Sequence, residues 1–299
     1  MTRPRLLLIA LLLLINDAVA TNDCPASGLA LMPVVKNTQD PAASYLVFLD
    51  GTPRAAINVG PGSADTLQQY PTLEAVFFTA LHTEQTSDLP ALVESWKRRN
   101  HRPVTVYGPT GSRTMPSTTT FVRTLFDGTR GAFRYLGAVV NPLARDGFRL
   151  HAHDVLARRP RLRRGPKEIG PAAIIWSSGN LEIHNASTGN TELPSLAFRV
   201  ETKTQSIVVL DVARDNNDDV VELSTGAGLV VAQVQTRKPD GPYFTDATLA
   251  RTLKGSRVRE LAFNGPGDVN ALVLEKALAG PAVSLQTKRC WTPIETGQS

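Results

Sequence analysis

The chain has 299 residues, of which 42% are hydrophobic and 20% are charged, and this composition excludes disorder as its main state. Its 22 glycines and 21 prolines follow no collagen period and are too many for a helical bundle, so they indicate a sheet-containing fold with many turns. The net charge of +5 is too small to indicate a nucleic-acid partner by itself.

The first twenty residues have the pattern of a secretory signal peptide. Arg3 and Arg5 precede an unbroken apolar run at residues 6–15, and Ala18 and Ala20 give the small-x-small cleavage pattern. The run is shorter than the roughly 20 residues that cross a bilayer. We therefore expect residues 1–20 to be removed. Residues 21–299 would then form one exported domain, periplasmic or secreted, with no later membrane span.

Export would place the only two cysteines, Cys24 and Cys290, in an oxidising compartment. They lie near the two ends of the mature chain, so a bridge between them would tie its ends together. The sequence predicts this disulfide. The alternative is two free thiols, which would be reactive in an exported protein.

Strands and helices alternate along the mature chain. In the first half we predict a hairpin of residues 45–49 and 54–59 around an Asp-Gly turn, strands at 75–79 and 104–107, and helices at 63–69, 88–99 and 117–126. In the second half we predict strands at 147–155, 172–176 and 181–185, a hairpin of 196–202 and 206–211, further strands at 228–234, 259–263 and 282–287, and helices at 219–223 and 245–254. This interleaving indicates two sheets between layers of helices.

A strongly basic stretch lies between the two halves. Its charged residues are Arg158, Arg159, Arg161, Arg163, Arg164 and Lys167. Such a run can bind anionic lipid, nucleic acid or polysaccharide. The alternative is a solvated loop, which Pro160, Gly165 and Pro166 favour.

Several motifs together resemble the metallo-β-lactamase superfamily, nearest to ribonuclease Z-like exported hydrolases. The main one follows the strand 75–79 and reads Thr79-Ala80-Leu81-His82-Thr83-Glu84-Gln85, with Asp88-Leu89-Pro90 after it; others lie at residues 60–62, 103–109, 194–201 and 206–209. The resemblance implies an α/β fold, the αββα four-layer metallo-β-lactamase-like sandwich. It also implies hydrolase activity and two zinc ions held by His and Asp side chains.

Most of the zinc ligands that the resemblance implies are replaced in this chain. Ala80 and Gln85 stand where the family has His, Glu84 stands where it has Asp, and His82 is unchanged. The bridging Asp is lost at Val212 or displaced to Asp211. Other expected positions hold Asn58, Thr188 or Gly189, Gln233, and Asn264 or Gly265. His82, Glu84 and Asp211 thus remain as a vestigial metal set. We expect no cofactor and assign no catalytic residue.

The four other histidines do not rebuild this set. His151 and His153 share one face of a strand and are a plausible surface metal pair without a third ligand. We interpret His184 as a hydrogen-bonded residue on a strand, and His101 as solvated or capping a helix.

These residues leave two main hypotheses. The first is a non-catalytic relative of an exported hydrolase that keeps the scaffold as a binding or structural protein, with an unidentified small molecule or protein as partner. The alternative is an active hydrolase of esters, phosphodiesters or lactams with a reduced or relocated metal site. A third, a surface adaptor using the basic stretch, is compatible with the first. Fold alone does not decide between them.

Overall fold

Two β-sheets stacked face to face organise the chain in a computed structural model. The model describes residues 24–34, 44–144, 147–156, 174–188, 192–211, 218–234, 245–263, 274, 278, 282–284 and 289–295. The predicted signal peptide and the basic stretch 158–167 lie outside these residues, as do Gly189, Val212, Asn264 and Gly265.

Within the described ranges, the first sheet has six strands in sequential order, β1 to β6. They are β1 Leu29–Val34, β2 Ser44–Leu49, β3 Thr52–Ile57, β4 Ala75–Phe77, β5 Val104–Pro109 and β6 Leu150–Val155. Neighbours are antiparallel from β1 to β3 and parallel from β3 to β6.

The second sheet has seven strands in the part of the chain that the structure describes, ordered from β13 to β7. They are β7 Ile174–Ser178, β8 Leu181–Ser187, β9 Leu196–Glu201, β10 Ser206–Leu210, β11 Leu229–Ala232, β12 Glu260–Phe263 and β13 Ala282–Ser284. Neighbours are antiparallel from β7 to β10 and parallel from β10 to β13.

Helices cover the outer face of each sheet. They are α1 Ala64–Leu67, α2 Thr83–Thr86, α3 Leu89–Arg98, α4 Thr118–Phe126, α5 Asp218–Ser224 and α6 Asp246–Leu253, with a 3-10 helix at Arg134–Val140. Leu92, Trp96 and Phe126 pack on the first sheet, and Leu223 and Leu249 pack on the second. A third apolar layer lies between the sheets and includes Tyr45, Phe77, Phe198 and Trp291. The predicted αββα four-layer sandwich is confirmed.

Local chemistry explains why several elements begin and turn where they do. Asp50 and Gly51 adopt φ of 50° and 71°, which places the β2–β3 hairpin turn in a conformation that Asp tolerates and Gly adopts freely. Ser117 caps α4 by accepting a hydrogen bond from the amide of Thr120. The Asp-Gly turn was the sequence signal that predicted the hairpin.

The structure also contains elements that the pattern did not predict. Strand β1 was missed because its sequence, Leu-Ala-Leu-Met-Pro-Val, does not alternate and contains Pro33, which is tolerated on this edge strand. The four-residue helix α2 is too short to show a period. Asp88 precedes α3 but makes no side-chain cap to it; instead its Oδ2 accepts a hydrogen bond from the amide of Ala64 at the start of α1.

The two ends of the described chain meet beside the first sheet. Cys24 and Cys290 form the predicted disulfide, and Trp291 forms a two-hydrogen-bond bridge with Leu31 of β1. None of the helices in the described residues is both apolar and long enough to cross a membrane.

Candidate functional site

A buried polar cluster lies where several strands of the two sheets end. Asn58 follows β3, Thr79 follows β4 and Asp211 follows β10, while Gln85 lies in α2. All four side chains are buried. The fold therefore brings together residues up to 153 positions apart in the sequence.

One oxygen of Asp211 is the centre of this cluster. Asp211 Oδ2 accepts hydrogen bonds from Thr79 Oγ1 at 2.7 Å, Asn58 Nδ2 at 2.8 Å and Gln85 Nε2 at 3.1 Å. Asn58 is fixed in turn, because its Oδ1 accepts a hydrogen bond from the amide of Thr79 at 2.9 Å. Two amides and a hydroxyl thus hold the carboxylate.

Burial shifts the protonation of this carboxyl group. Loss of hydration raises the pKa of Asp211 from 3.8 to about 6, and the negative charge of Glu84 acts in the same direction. The three hydrogen bonds from Thr79, Gln85 and Asn58 oppose this rise because they favour the ionised form. Near neutral pH the group is thus close to the range in which it changes charge.

Close backbone packing sets the position of Gln85. The amide of Val59 donates to the carbonyl of Gln85 at 2.7 Å, which fastens α2 to the turn after β3. A Cβ on Gly60 would lie only 2.1 Å from the carbonyl oxygen of Glu84, so this turn requires a glycine. Asn58 has a φ of 62°, a left-handed conformation that Asn adopts more readily than most residues.

The three residues of the vestigial metal set differ in burial. His82 is half-buried at the start of α2, Glu84 is exposed on α2, and Asp211 is buried in the polar cluster. A dinuclear zinc centre needs about three protein ligands for each ion. The amides of Asn58 and Gln85 turn hydrogen-bond donors toward Asp211, so these residues do not fit such a centre. The ligand role of His82, Glu84 and Asp211 stays a prediction.

A different group of side chains has the chemistry of a metal site, and it corrects the expectation of no cofactor. Glu182 and His184 on β8 and Glu201 on β9 have ligand atoms within 4.8 Å of one another. Arg199 Nε lies 2.6 Å from Glu201 Oε2. The hydrogen bond with His184, which has the largest effect, and the contact with Arg199 lower the pKa of Glu201 from 4.5 to about 2, although burial opposes this shift. Because these three side chains form a candidate metal site, the expected absence of a cofactor is wrong.

Sequence reasoning missed this group because its members are distant along the chain. Glu182 and His184 are two residues apart, which places them on one strand face, but only the β8–β9 register brings Glu201 opposite Glu182. In the sequence, Glu182 and His184 alone are a weak signal for a metal site. The third ligand, Glu201, could have been found only by predicting how β8 pairs with β9.

The remaining histidines have different surroundings. His101, which we expected to be solvated or to cap a helix, is buried: its ring lies 5.1 Å from that of Trp96, and its Nδ1 lies 2.8 Å from the carbonyl oxygen of Arg102. His151 and His153 lie on β6, are exposed, and face Thr105 and Tyr107 of β5. The ring of His153 stacks on Tyr107 at 5.5 Å.

Comparison with known proteins extends these observations. No family model matches the chain, and no curated protein does. Among solved structures, human tRNase Z, short form, is 14% identical with a TM-score of 0.60, covering 89% of this chain and 99% of its own. The metallo-β-lactamase fold protein YhfI from Bacillus subtilis is 12% identical with a TM-score of 0.57, covering 88% and 98%.

A third similar structure was solved with a bound metal ion. It is the Zn²⁺-bound PqqB from Methylobacterium extorquens, 13% identical with a TM-score of 0.51, covering 81% of this chain and 84% of its own. At these identities the likeness concerns the fold. Together with the two-sheet topology described above, it establishes that this chain has the metallo-β-lactamase fold.

Proposed function

We propose that the chain is an exported protein of the metallo-β-lactamase fold that is not a dinuclear zinc hydrolase and serves instead as a binding or structural protein. The observation that carries this proposal is the polar cluster of Asn58, Thr79, Gln85 and Asp211. Its partner would be a small molecule or a protein.

Ligand chemistry supports the first part of the proposal. A metal-bridging carboxylate needs its oxygens directed at the ions, whereas Asp211 Oδ2 accepts three hydrogen bonds from buried donors. Ala80 and Gln85 supply no imidazole. Without two ions, the site lacks the Lewis acid that makes hydroxide from water near neutral pH.

Export is supported by the amino-terminal pattern and by the disulfide. A bridge between Cys24 and Cys290 persists in an oxidising compartment and is rare in the cytosol. The signal pattern at residues 1–20 points to the same compartment.

One observation favours a second candidate function. The group of Glu182, His184 and Glu201 could be a relocated metal centre, in which case the chain would be a hydrolase of esters, phosphodiesters or lactams with a single metal site. Three protein ligands would leave a coordination position for water, as in catalytic zinc sites.

Hydrolysis assays separate the two candidates. The purified chain is tested with bis-p-nitrophenyl phosphate, p-nitrophenyl acetate and nitrocefin, with ZnCl₂ and with EDTA. We expect no zinc-dependent turnover. The variants His82→Ala and His184→Ala are tested beside it.

Each alternative has its own outcome. Turnover that is lost in His82→Ala and retained in His184→Ala would overturn the proposal, because the family position would then be active. Turnover lost in His184→Ala alone would establish the second candidate. Two zinc ions per purified chain by elemental analysis would also overturn the proposal.

A further inference from the structure

The outer face of the second sheet carries an ionic cluster. Glu182 and His184 on β8 lie opposite Glu201 and Arg199, respectively, on β9. The alternating neighbours Leu181, Ile183, Phe198 and Val200 face the apolar layer between the sheets. The four polar side chains therefore lie on the opposite face, which also carries α5, and this face is not the one between the sheets.

The ligand atoms of the cluster are close enough together to contact one metal ion. His184 Nε2 lies 2.9 Å from Glu201 Oε1 and 3.6 Å from Glu182 Oε2. With zinc–nitrogen and zinc–oxygen bonds of about 2.1 Å, tetrahedral ligands lie about 3.4 Å apart. The two observed distances lie on either side of this value.

The charges of the cluster favour a cation. Glu182 and Glu201 lie directly opposite each other on antiparallel strands, where like charges are destabilising. Arg199 compensates one of them through Glu201 Oε2, and its Nη1 also donates to the carbonyl groups of Leu223 and Thr225 at the end of α5. The cluster therefore sets two carboxylates and one guanidinium around an imidazole nitrogen.

The cluster is buried on one side and exposed to solvent on the other. The side chain of His184 is 7% exposed, whereas that of Glu182 is 44% exposed, so the cluster opens to solvent on the Glu182 side. Arg199 orients the carboxylate of Glu201 from behind, as the groups around metal ligands commonly do. A ligand set with an imidazole and two carboxylates suits zinc and its neighbours better than calcium or magnesium, which prefer oxygen alone.

We propose that Glu182, His184 and Glu201 bind one divalent transition-metal ion of the zinc class on the outer face of the second sheet, away from the family metal position. The ion relieves the repulsion between the two facing carboxylates and links β8 to β9. Through Arg199, the same site is connected to the end of α5. This site is independent of whether the polar cluster around Asp211 is inactive.

Calorimetric titration with ZnCl₂ tests the site after the full chain has been treated with EDTA and desalted. We expect one zinc ion per chain. Glu182→Gln, which changes a partly exposed side chain, and His184→Gln should each weaken zinc binding at least tenfold. Co²⁺ binding, measured by visible absorption, should be weakened in the same two variants, and the spectrum reports the ligand set directly.

Matched variants at other candidate positions serve as controls. His82→Gln tests the family position, and His153→Gln tests the surface pair on β6; both should bind zinc like the unchanged chain. Circular dichroism checks that His184→Gln folds, and Glu182→Gln keeps the test valid if it does not.

Three outcomes would overturn the proposal. The first is an unchanged chain that binds no zinc, which would leave an ion pair between His184 and the two carboxylates. The second is zinc affinity that does not change in Glu182→Gln. The third is binding lost in His82→Gln or His153→Gln, which would place the ion elsewhere. None of them depends on hydrolase activity, so this proposal and the proposed function fail separately.

Discussion

At the scale of single residues, a buried carboxylate needs compensation for the water it loses. Around Asp211 that compensation comes from Asn58, Thr79 and Gln85. Asp211 Oδ1 and Gln85 Oε1 accept no hydrogen bond from any described residue. A proton on Asp211 would convert one carboxyl oxygen into a donor. Burial therefore favours the neutral form of Asp211, although the three hydrogen bonds oppose this effect.

Stability should depend on pH through Asp211. Its folded pKa of about 6 exceeds the ordinary value of 3.8, so the folded state binds this proton more tightly. The contribution of this group is complete below pH 3.8 and is lost as pH rises through 6. Relative to Asp211→Asn, the free energy of unfolding of the unchanged chain should fall by up to about 3 kcal/mol between pH 4 and pH 8. Urea unfolding in EDTA measures this difference.

Asp65→Asn is the control for this experiment, because Asp65 is an exposed residue of α1. Its unfolding free energy should follow that of the unchanged chain over the whole pH range. An Asp211→Asn variant with the same pH profile as the unchanged chain would contradict the prediction.

The hydroxyl of Thr79 should matter most when Asp211 is ionised. Thr79→Val preserves the shape but removes the donor at 2.7 Å, which leaves the buried charge with two donors. We expect a loss of about 1–3 kcal/mol in unfolding free energy at pH 8 and a smaller loss at pH 5. Urea unfolding at both values measures it, with Thr129→Val, an exposed position, as control. Equal losses at pH 5 and pH 8 would show that the hydroxyl does not act on the charge.

Sequence reasoning located some of this site and not the rest. Asn58, Gln85 and Asp211 were singled out because the family resemblance drew attention to these positions, and the structure places all three in one cluster. Their new role was not foreseeable, because hydrogen bonds to Asp211 depend on where Asn58 and Thr79 end up after the two sheets pack. The group around His184 escaped for the same reason.

At the scale of elements, short helices depend on their supports more than on their own sequence. Helix α2 has only four residues, far below the length at which an isolated helix is stable. Its position comes from hydrogen bonds to Val59, which accepts from Asp88 and donates to Gln85. Strands β2 and β3, by contrast, were predictable because their pattern and their turn residues agree locally.

Gly60→Ala should displace α2. The added methyl group would lie 2.1 Å from the carbonyl oxygen of Glu84, so the turn or the helix must shift. Overpacking of this kind costs about 1–3 kcal/mol, and Gln85 should lose its contact with Asp211. Thermal unfolding measures the cost, and the pH profile described for Asp211 should change in the same variant.

Gly128→Ala provides the matched control, because the nearest contact of its added methyl group would be an ordinary 3.8 Å. We expect a change within about 0.5 kcal/mol. If Gly60→Ala is as mild as Gly128→Ala, the close approach of α2 to this turn is not important for stability.

At the scale of the whole molecule, the described residues form three apolar layers, and segments from near the two ends of the sequence meet beside β1. Trp291 belongs to the layer between the sheets and pairs with Leu31 of β1. The composition predicted a sheet fold and the interleaved pattern predicted two sheets. Neither signal predicted that Trp291 would belong to the layer between the sheets, because its pairing with Leu31 joins residues from opposite ends of the sequence.

The disulfide between Cys24 and Cys290 should therefore contribute strongly to stability. It joins residues 266 positions apart, so the unfolded chain loses much conformational freedom when the bridge is present. The chain-entropy model gives up to about 5 kcal/mol for such a loop. Cys24→Ser, Cys290→Ser and the double variant should each show a lower Tm than the unchanged chain in oxidising buffer, and by similar amounts. The unchanged chain in dithiothreitol should match them, whereas a Tm that ignores both reduction and substitution would show that Trp291 and β1 hold the ends together without the bridge.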